Sequence, residues 1–245
     1  MRNRLEMNDS KTEMIAFAPP HACLPALSIT VGSEVHFSTP SVRNLGLVMD
    51  AYLSMDLHIA KTCQTGYFQL RTIRSVQHVL PTEALERLVH AFITVRLDYC
   101  NAVLVGISGK SLYKLQLLQN SAARVVSRTN KYEHITPVLK NLHWLPVKQR
   151  IDYKVLILAY KALHGLSPGY IADMLTRYTP TRTLRSKDSN LLVVPRVRLK
   201  AAGHRSFHFA APVLWSNLPE KLRQCSSLSL FKSHLKTHLF NDAYS

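Results

Sequence analysis

The stretch from His134 to Pro168 constrains the fold of this chain more than any other. It reads as two helical segments separated by His143-Trp144-Leu145-Pro146, because a proline and the residue before it both resist helical continuation. The second segment, opening at Val147, is apolar nearly all round. A helix of that kind cannot lie on a surface with one face in water and has to be enclosed by other elements. The chain must therefore build a helical core around it. With 245 residues, 47% of them hydrophobic, it has material for one large domain or two small ones.

The remaining periodicities divide the chain. Residues 12–50 read as short strands. Thr12 to Phe17 is one, ended by Pro19-Pro20. Leu27 to Val31 is another, stopped by the turn signal Gly32-Ser33, with Glu34 to Phe37 as its hairpin partner. Val42 to Met49 is a further strand, ending at Asp50. From residue 53 the spacing becomes that of helices. Leu53 to about Ser75 is the first. Pro81-Thr82-Glu83 opens the second, with Glu83 and Glu86 in the dipole-favoured first turn and Leu85, Leu88, Val89, Phe92 and Tyr99 on one face. Gly106 to Gly109 breaks it. Ser111 to about Arg128 is a third, with Leu112, Leu115, Leu118, Ala122 and Val125 on one stripe. After the block at 134–168, Pro168 to Tyr178 reads as a short helix. Residues 177–205 read as a basic extended segment or weak hairpin around Leu191 to Val194. Ser227 or Ser229 then caps a last helix to about Phe240.

Charge is unevenly placed. Residues 1–60 hold four Lys/Arg and six Asp/Glu, whereas residues 61–245 hold 27 and nine. An excess this one-sided points to a polyanionic partner, nucleic acid before acidic membrane. Cys23, Cys63, Cys100 and Cys225 are scattered and form no CxxC, so a reducing compartment is expected. The opening MRNRLEMNDSKTE has no apolar run behind its positive charges. No stretch of ~18 residues is apolar and unbroken enough for a membrane span. The expectation is a cytoplasmic or nuclear protein without signal peptide or transmembrane segment, and without membrane contact.

Chemistry leaves few traces. Two-metal polymerases and nucleases need clustered carboxylates to hold two divalent ions about 4 Å apart. The aspartates stand at 9, 50, 56, 98, 152, 173, 188 and 242, none adjacent and none in a DxD. His234 and His238 share a helix face at metal-ligand spacing, but only Cys225 lies near them in sequence, and a pair of solvated histidines is the better reading. No phosphate-loop, dinucleotide or nucleophile-elbow pattern occurs. Trp144 and Trp215 could stack on bases, yet both sit in apolar company and read as packing residues. No metal, cofactor or small-molecule substrate is expected.

Several segments resemble the C-terminal part of LINE-type (non-LTR) retrotransposon reverse transcriptases. Asn8-Asp9-Ser10-Lys11-Thr12-Glu13 resembles the LNxxKTE segment of the palm's fourth motif. Val42 to Leu47 resembles the "RNLGV" strand that follows it. Arg96 to Ala102 and Leu115 to Arg124 resemble the helical region beyond the palm, which His134 to Pro168 continues. Arg205-Ser206-Phe207, Ala211 to Pro219 and Phe231 to Lys236 resemble the element's end. The likeness runs in order from about residue 7. The family's aspartate motifs would precede Asn8 and are not in this chain. Mg²⁺ therefore belongs to the full-length family polymerase alone. Lys11 matches a lysine that assists the departing pyrophosphate, and here it would be vestigial.

These readings give an α+β, predominantly helical chain in three parts. A β segment at 1–52 would be a palm remnant. Residues 53–178 would be a helical thumb-like domain. Residues 179–245 would be a basic C-terminal extension with a short strand or hairpin and a terminal helix. The expected function is a non-enzymatic, truncated reverse-transcriptase fragment with sequence-independent affinity for the RNA or DNA backbone. The alternative is a helical protein-interaction or structural module. Backbone contact would fall to Lys110, Lys114, Arg124, Arg128 and Lys131 before the central block, and to Arg182, Arg185, Lys187, Arg196, Arg198, Lys200 and Arg205 after it.

Overall fold

A computed structural model describes residues 8–19, 22, 26–180, 190–198 and 203–245. The chain is 56% helical with two antiparallel two-stranded sheets, so the α+β, predominantly helical class holds. It divides into two compact units, Met1–Lys61 and Thr62–Ser245. The division falls inside the first long helix rather than at residue 52. No boundary falls at 178/179 either, because the C-terminal helices share their core with those before them.

In the first unit, β1 (Ser28–Val31) pairs with β2 (Glu34–Phe37), Ser28 opposite Phe37, across a turn in which Gly32 takes φ +61°. The run Val42–Met49 is not one strand. It folds into β3 (Ser41–Asn44) and β4 (Leu47–Asp50), with Val42 opposite Met49. The two linking residues, Leu45 and Gly46, both have positive φ, +48° and +86°, as the mirror-image hairpin turn requires. Thr12 to Phe17 is not a strand; of it, Met14 alone makes an isolated bridge, to Ser38. Asp50 then organises the exit from β4. Its Oδ1 accepts from the Tyr52 and Ser54 amides, and its Oδ2 from the Met55 amide and the Ser54 hydroxyl.

The helix α1 (Asp56–Ser75) leads into the second unit. There α2 (Thr82–Val89) passes through one π-helical turn, His90–Thr94, into α3 (Val95–Asp98). The buried stripe is Leu85, Val89, Ile93 and Leu97; Leu88 is half-buried, and Phe92 and Tyr99 are exposed, contrary to expectation. The π turn is the reason. Twelve residues of unbroken α-helix would carry a four-residue repeat about 120° round the axis. One extra residue absorbed in a wide turn brings Leu97 back to within about 20° of Leu85.

Next, α4 (Gly109–Ser127) is capped by Ser108, whose side chain accepts from the Ser111 amide at 3.1 Å. It ends at Arg128 in the left-handed region, φ +56°. Leu115, Leu118, Ala122 and Val125 are buried, while Leu112 is only half-buried. α1 crosses it closely, because a Cβ on Gly66 would lie 2.6 Å from a Leu118 methyl. α5 (Ile135–Asn141) and α6 (Val147–Leu163) flank the His-Trp-Leu-Pro break as expected. Pro168 to Tyr178 contains only a single turn, α7 (Gly169–Ala172). An antiparallel bridge then joins Arg177 to Leu192.

Last come α8 (Phe207–Ser216), α9 (Glu220–Arg223) and α10 (Leu228–Tyr244), with Ser227 as the final cap. They close over α6: Val155, Leu156, Ala159 and Tyr160 pack with Leu192, Trp215, Leu218, Phe231, Leu235 and Leu239. The helix is not apolar all round, since Lys148 and Lys154 are exposed, and much of its buried face is covered by residues of the chain's C-terminal part. Trp215 donates Nε1–H to the Asn190 carbonyl at 2.7 Å, and the Tyr160 hydroxyl donates to the Cys225 carbonyl at 2.9 Å. Both polar tips are satisfied inside the core.

Candidate nucleic-acid interface

Two of the motif-like segments, Arg96 to Ala102 and Leu115 to Arg124, meet the Trp144-Leu145-Pro146 break, and what they build there is polar scaffolding. Gln119, 1% exposed, donates Nε2–H to the Leu145 carbonyl at 2.8 Å. Gln116 Oε1 accepts from the Val147 amide at 2.9 Å, one of the orphan donors that a helix start leaves. Arg150 donates Nε–H to the same Leu145 carbonyl and Nη1–H to Asp98 Oδ2, both at 2.9 Å. The Tyr244 hydroxyl closes the ring by donating to the Trp144 carbonyl at 2.6 Å, and burial pushes its pKa up to about 12. Trp144 is 4% exposed and is a packing residue, as its sequence context indicates.

Four further arginines serve the fold in a similar way. Helix C-termini leave carbonyls without partners and carry partial negative charge, which cations relieve. Arg177 donates to the Leu163 carbonyl, the last of α6, at 2.7 Å. Arg223, itself buried, donates to the carbonyls of Ser216, the last of α8, and Leu218. Arg128 donates Nη2–H to the carbonyls of Gln77 (3.3 Å) and Leu80 (2.7 Å), just beyond α1. Arg124 donates to the carbonyls of Asn130 (3.3 Å) and Glu133 (3.1 Å), bracing the loop after its own helix.

The residues expected to contact a nucleic-acid backbone therefore fall into three sets. Lys110, Lys114, Lys131, Arg196 and Arg198 are exposed. Arg124, Arg128 and Arg205 carry structural contacts as well: the first two as above, and Arg205 half-buried, with its Cγ 2.9 Å from where a Cβ on Gly106 would stand. Arg182, Arg185, Lys187 and Lys200 lie outside the described residues. Lys11 is exposed at the end of a short 3-10 turn in the first unit. Arg71 and Arg74, both exposed on α1, belong to no segment that the sequence singles out; their helical +3 spacing is a signal that could have found them.

Other candidate chemistry stays unassembled. Among the described residues no group of three or more His, Cys, Asp or Glu could hold a metal ion. Cys225 Sγ lies 4.0 Å from His234 Nδ1, but burial pushes the thiol's pKa up, opposite to what a nucleophile needs. Burial also raises Cys63, an effect that the nearby Lys114 offsets in part. Among the described residues no helix is long and apolar enough to cross a membrane. No family model, curated protein or solved structure matches this chain.

Proposed function

We propose that this chain is a non-catalytic stretch of a LINE-type reverse transcriptase that holds nucleic acid through its backbone, without regard to sequence. The carrying observation is the cation excess of residues 61–245, 27 Lys/Arg against nine Asp/Glu, of which several members remain exposed after the helix-capping arginines are set aside. Phosphate contact needs charge and reach, not a shaped pocket. The ordered likeness of the segments from Asn8 to Lys236 to that family supports the same reading.

The test is a salt titration of binding to an RNA–DNA hybrid. Log affinity should fall linearly with log salt, with a slope of about 0.9 for each phosphate neutralised. Replacing Lys110, Lys114 and Lys131 together by Glu should reduce both affinity and slope. No measurable affinity at low salt would remove the proposal. Primer extension with Mg²⁺ should show no incorporation above background. Exposed apolar side chains such as Phe68 (62%) and Tyr113 (62%) favour the second reading, a protein-interaction module. That reading predicts that partner binding survives the triple charge reversal.

A further inference from the structure

The loop that follows α4 is an exposed basic feature of the second unit, and it is braced by several hydrogen bonds. Arg124 holds it from inside through the Asn130 and Glu133 carbonyls. Asn130 and Glu133 bond each other twice, Glu133 amide to Asn130 carbonyl at 3.2 Å and Asn130 amide to Glu133 Oε1 at 3.3 Å. Arg128 ties its start to the carbonyls beyond α1. At the apex of this closed turn stands Tyr132, 83% exposed, with Lys131 Nζ 4.7 Å from its ring centroid.

Two cations belong to the same loop as the ring, Lys131 beside it and Arg128 at the loop's start. Arg128 spends only Nη2 on its two carbonyls, which leaves Nε and Nη1 for another acceptor. The one acid in the loop, Glu133, has an oxygen engaged by the Asn130 amide.

We infer that this loop is a base-stacking platform for single-stranded nucleic acid. Tyr132 offers its ring to one unpaired base, while Arg128 and Lys131 hold the flanking phosphates. An aromatic face in a duplex-binding groove has nothing to stack on, because paired bases already cover one another, whereas an unpaired base has a free face. The lysine over the ring strengthens the site for an electron-rich partner that brings its own phosphate. Bracing matters because the ring needs no ordering of the loop when it binds.

This inference rests on the nucleic-acid reading above, and the test separates the two. The full chain is titrated, by fluorescence anisotropy, with a labelled oligouridine strand and with a blunt RNA–DNA hybrid of equal length. Tyr132→Ala should weaken binding of the single strand about tenfold. It should leave hybrid binding within about twofold and the salt slope unchanged, since no charge is removed. Tyr132→Phe should bind as the parent does. If the parent binds both ligands and Tyr132→Ala binds the single strand equally well, the platform is overturned while backbone binding stands. A uniform loss on both ligands would also overturn it, as would a Tyr132→Phe variant as weak as the alanine. If the parent binds neither ligand, both proposals fall.

Discussion

The two units of this protein are stabilised by different means. In residues 62–245 the dominant feature is apolar enclosure, with Trp215, Tyr160, Phe231, Leu118, Leu156 and Leu235 each less than 2% exposed. In residues 1–61 the β1–β2 hairpin leaves Ile29, Val35 and Phe37 more than half exposed, and among the described residues the buried apolar ones are Val42, Ala51, Met55 and Ile59. What stands out there is one carboxylate, Asp50, receiving four hydrogen bonds in a loop where Leu53 and Met55 have positive φ. A large helical unit can tolerate the loss of a polar contact, because burial scales with size. A pair of two-stranded hairpins depends on its few directional bonds.

The sharpest way to break this contrast is in the large core. Trp215→Ala should cost about 3–5 kcal/mol, because it opens a cavity beneath α6 and leaves the Asn190 carbonyl without its indole donor. Chemical denaturation followed by far-ultraviolet circular dichroism measures it. A loss below about 1 kcal/mol would mean that the core is not close-packed there.

Asp50→Asn comes next, at about 2 kcal/mol, because an amide can present only one good acceptor where the carboxylate presents two. Desolvation alone would raise the Asp50 pKa, but the hydrogen bonds from Ser54, Met55 and Tyr52 outweigh it and hold the pKa below the ordinary aspartate range. The folded pKa is thus lower than the unfolded one. The stabilisation is complete above the unfolded value and is lost as pH falls through the folded value. Protection factors of the β3 and β4 amides, taken against intrinsic exchange at each pH, should therefore fall in acid in the parent, and the Asn variant should lack that fall. Equal pH dependence in both would show that Asp50 does not carry the unit.

How much of this could be read beforehand differs by element. The His-Trp-Leu-Pro break is a local signal and falls where the spacing places it, and of the two expected caps, Ser227 and Ser229, it is Ser227 that caps the last helix. Both tryptophans were legible as packing residues from their apolar neighbours. The β3–β4 turn was hidden because Leu45 occupies a position that usually announces itself with Asn or Gly. The π turn at His90–Thr94 was hidden because residue counting assumes a constant period, so the stripe was assigned to Phe92 and Tyr99 instead of Ile93 and Leu97. The candidate site was legible as a charge excess but not as a surface. Composition cannot separate an arginine that caps a helix, as Arg177 and Arg223 do, from a lysine that faces water, as Lys110 and Lys114 do.

Gln119 probes the motif-rich junction at smaller cost. Gln119→Ala removes one of two donors to the Leu145 carbonyl, and Arg150 remains as the other. The expected loss is about 1–2 kcal/mol. Combining it with Arg150→Ala strands that carbonyl, so the double loss should exceed the sum of the single ones. Strict additivity would mean that water reaches Leu145 and that the junction is not a closed network.

The smallest effect is a gain, and it isolates a cost that the first unit carries in its backbone. Leu45 stands at φ +48° and is 84% exposed. A branched side chain in the left-handed region costs about 1–2 kcal/mol, while asparagine is tolerated there. It also forms, with Gly46, the pair that mirror-image turns prefer. Leu45→Asn should therefore stabilise the β3–β4 hairpin by about 0.5–1 kcal/mol, read as slower amide exchange across the Val42–Met49 pair. The effect should persist at every pH, unlike that of Asp50, because no titrating group is involved. A neutral or destabilising outcome would show that the leucine side chain gains more from its surroundings than its backbone loses, which would place apolar contact rather than turn geometry in control of this hairpin.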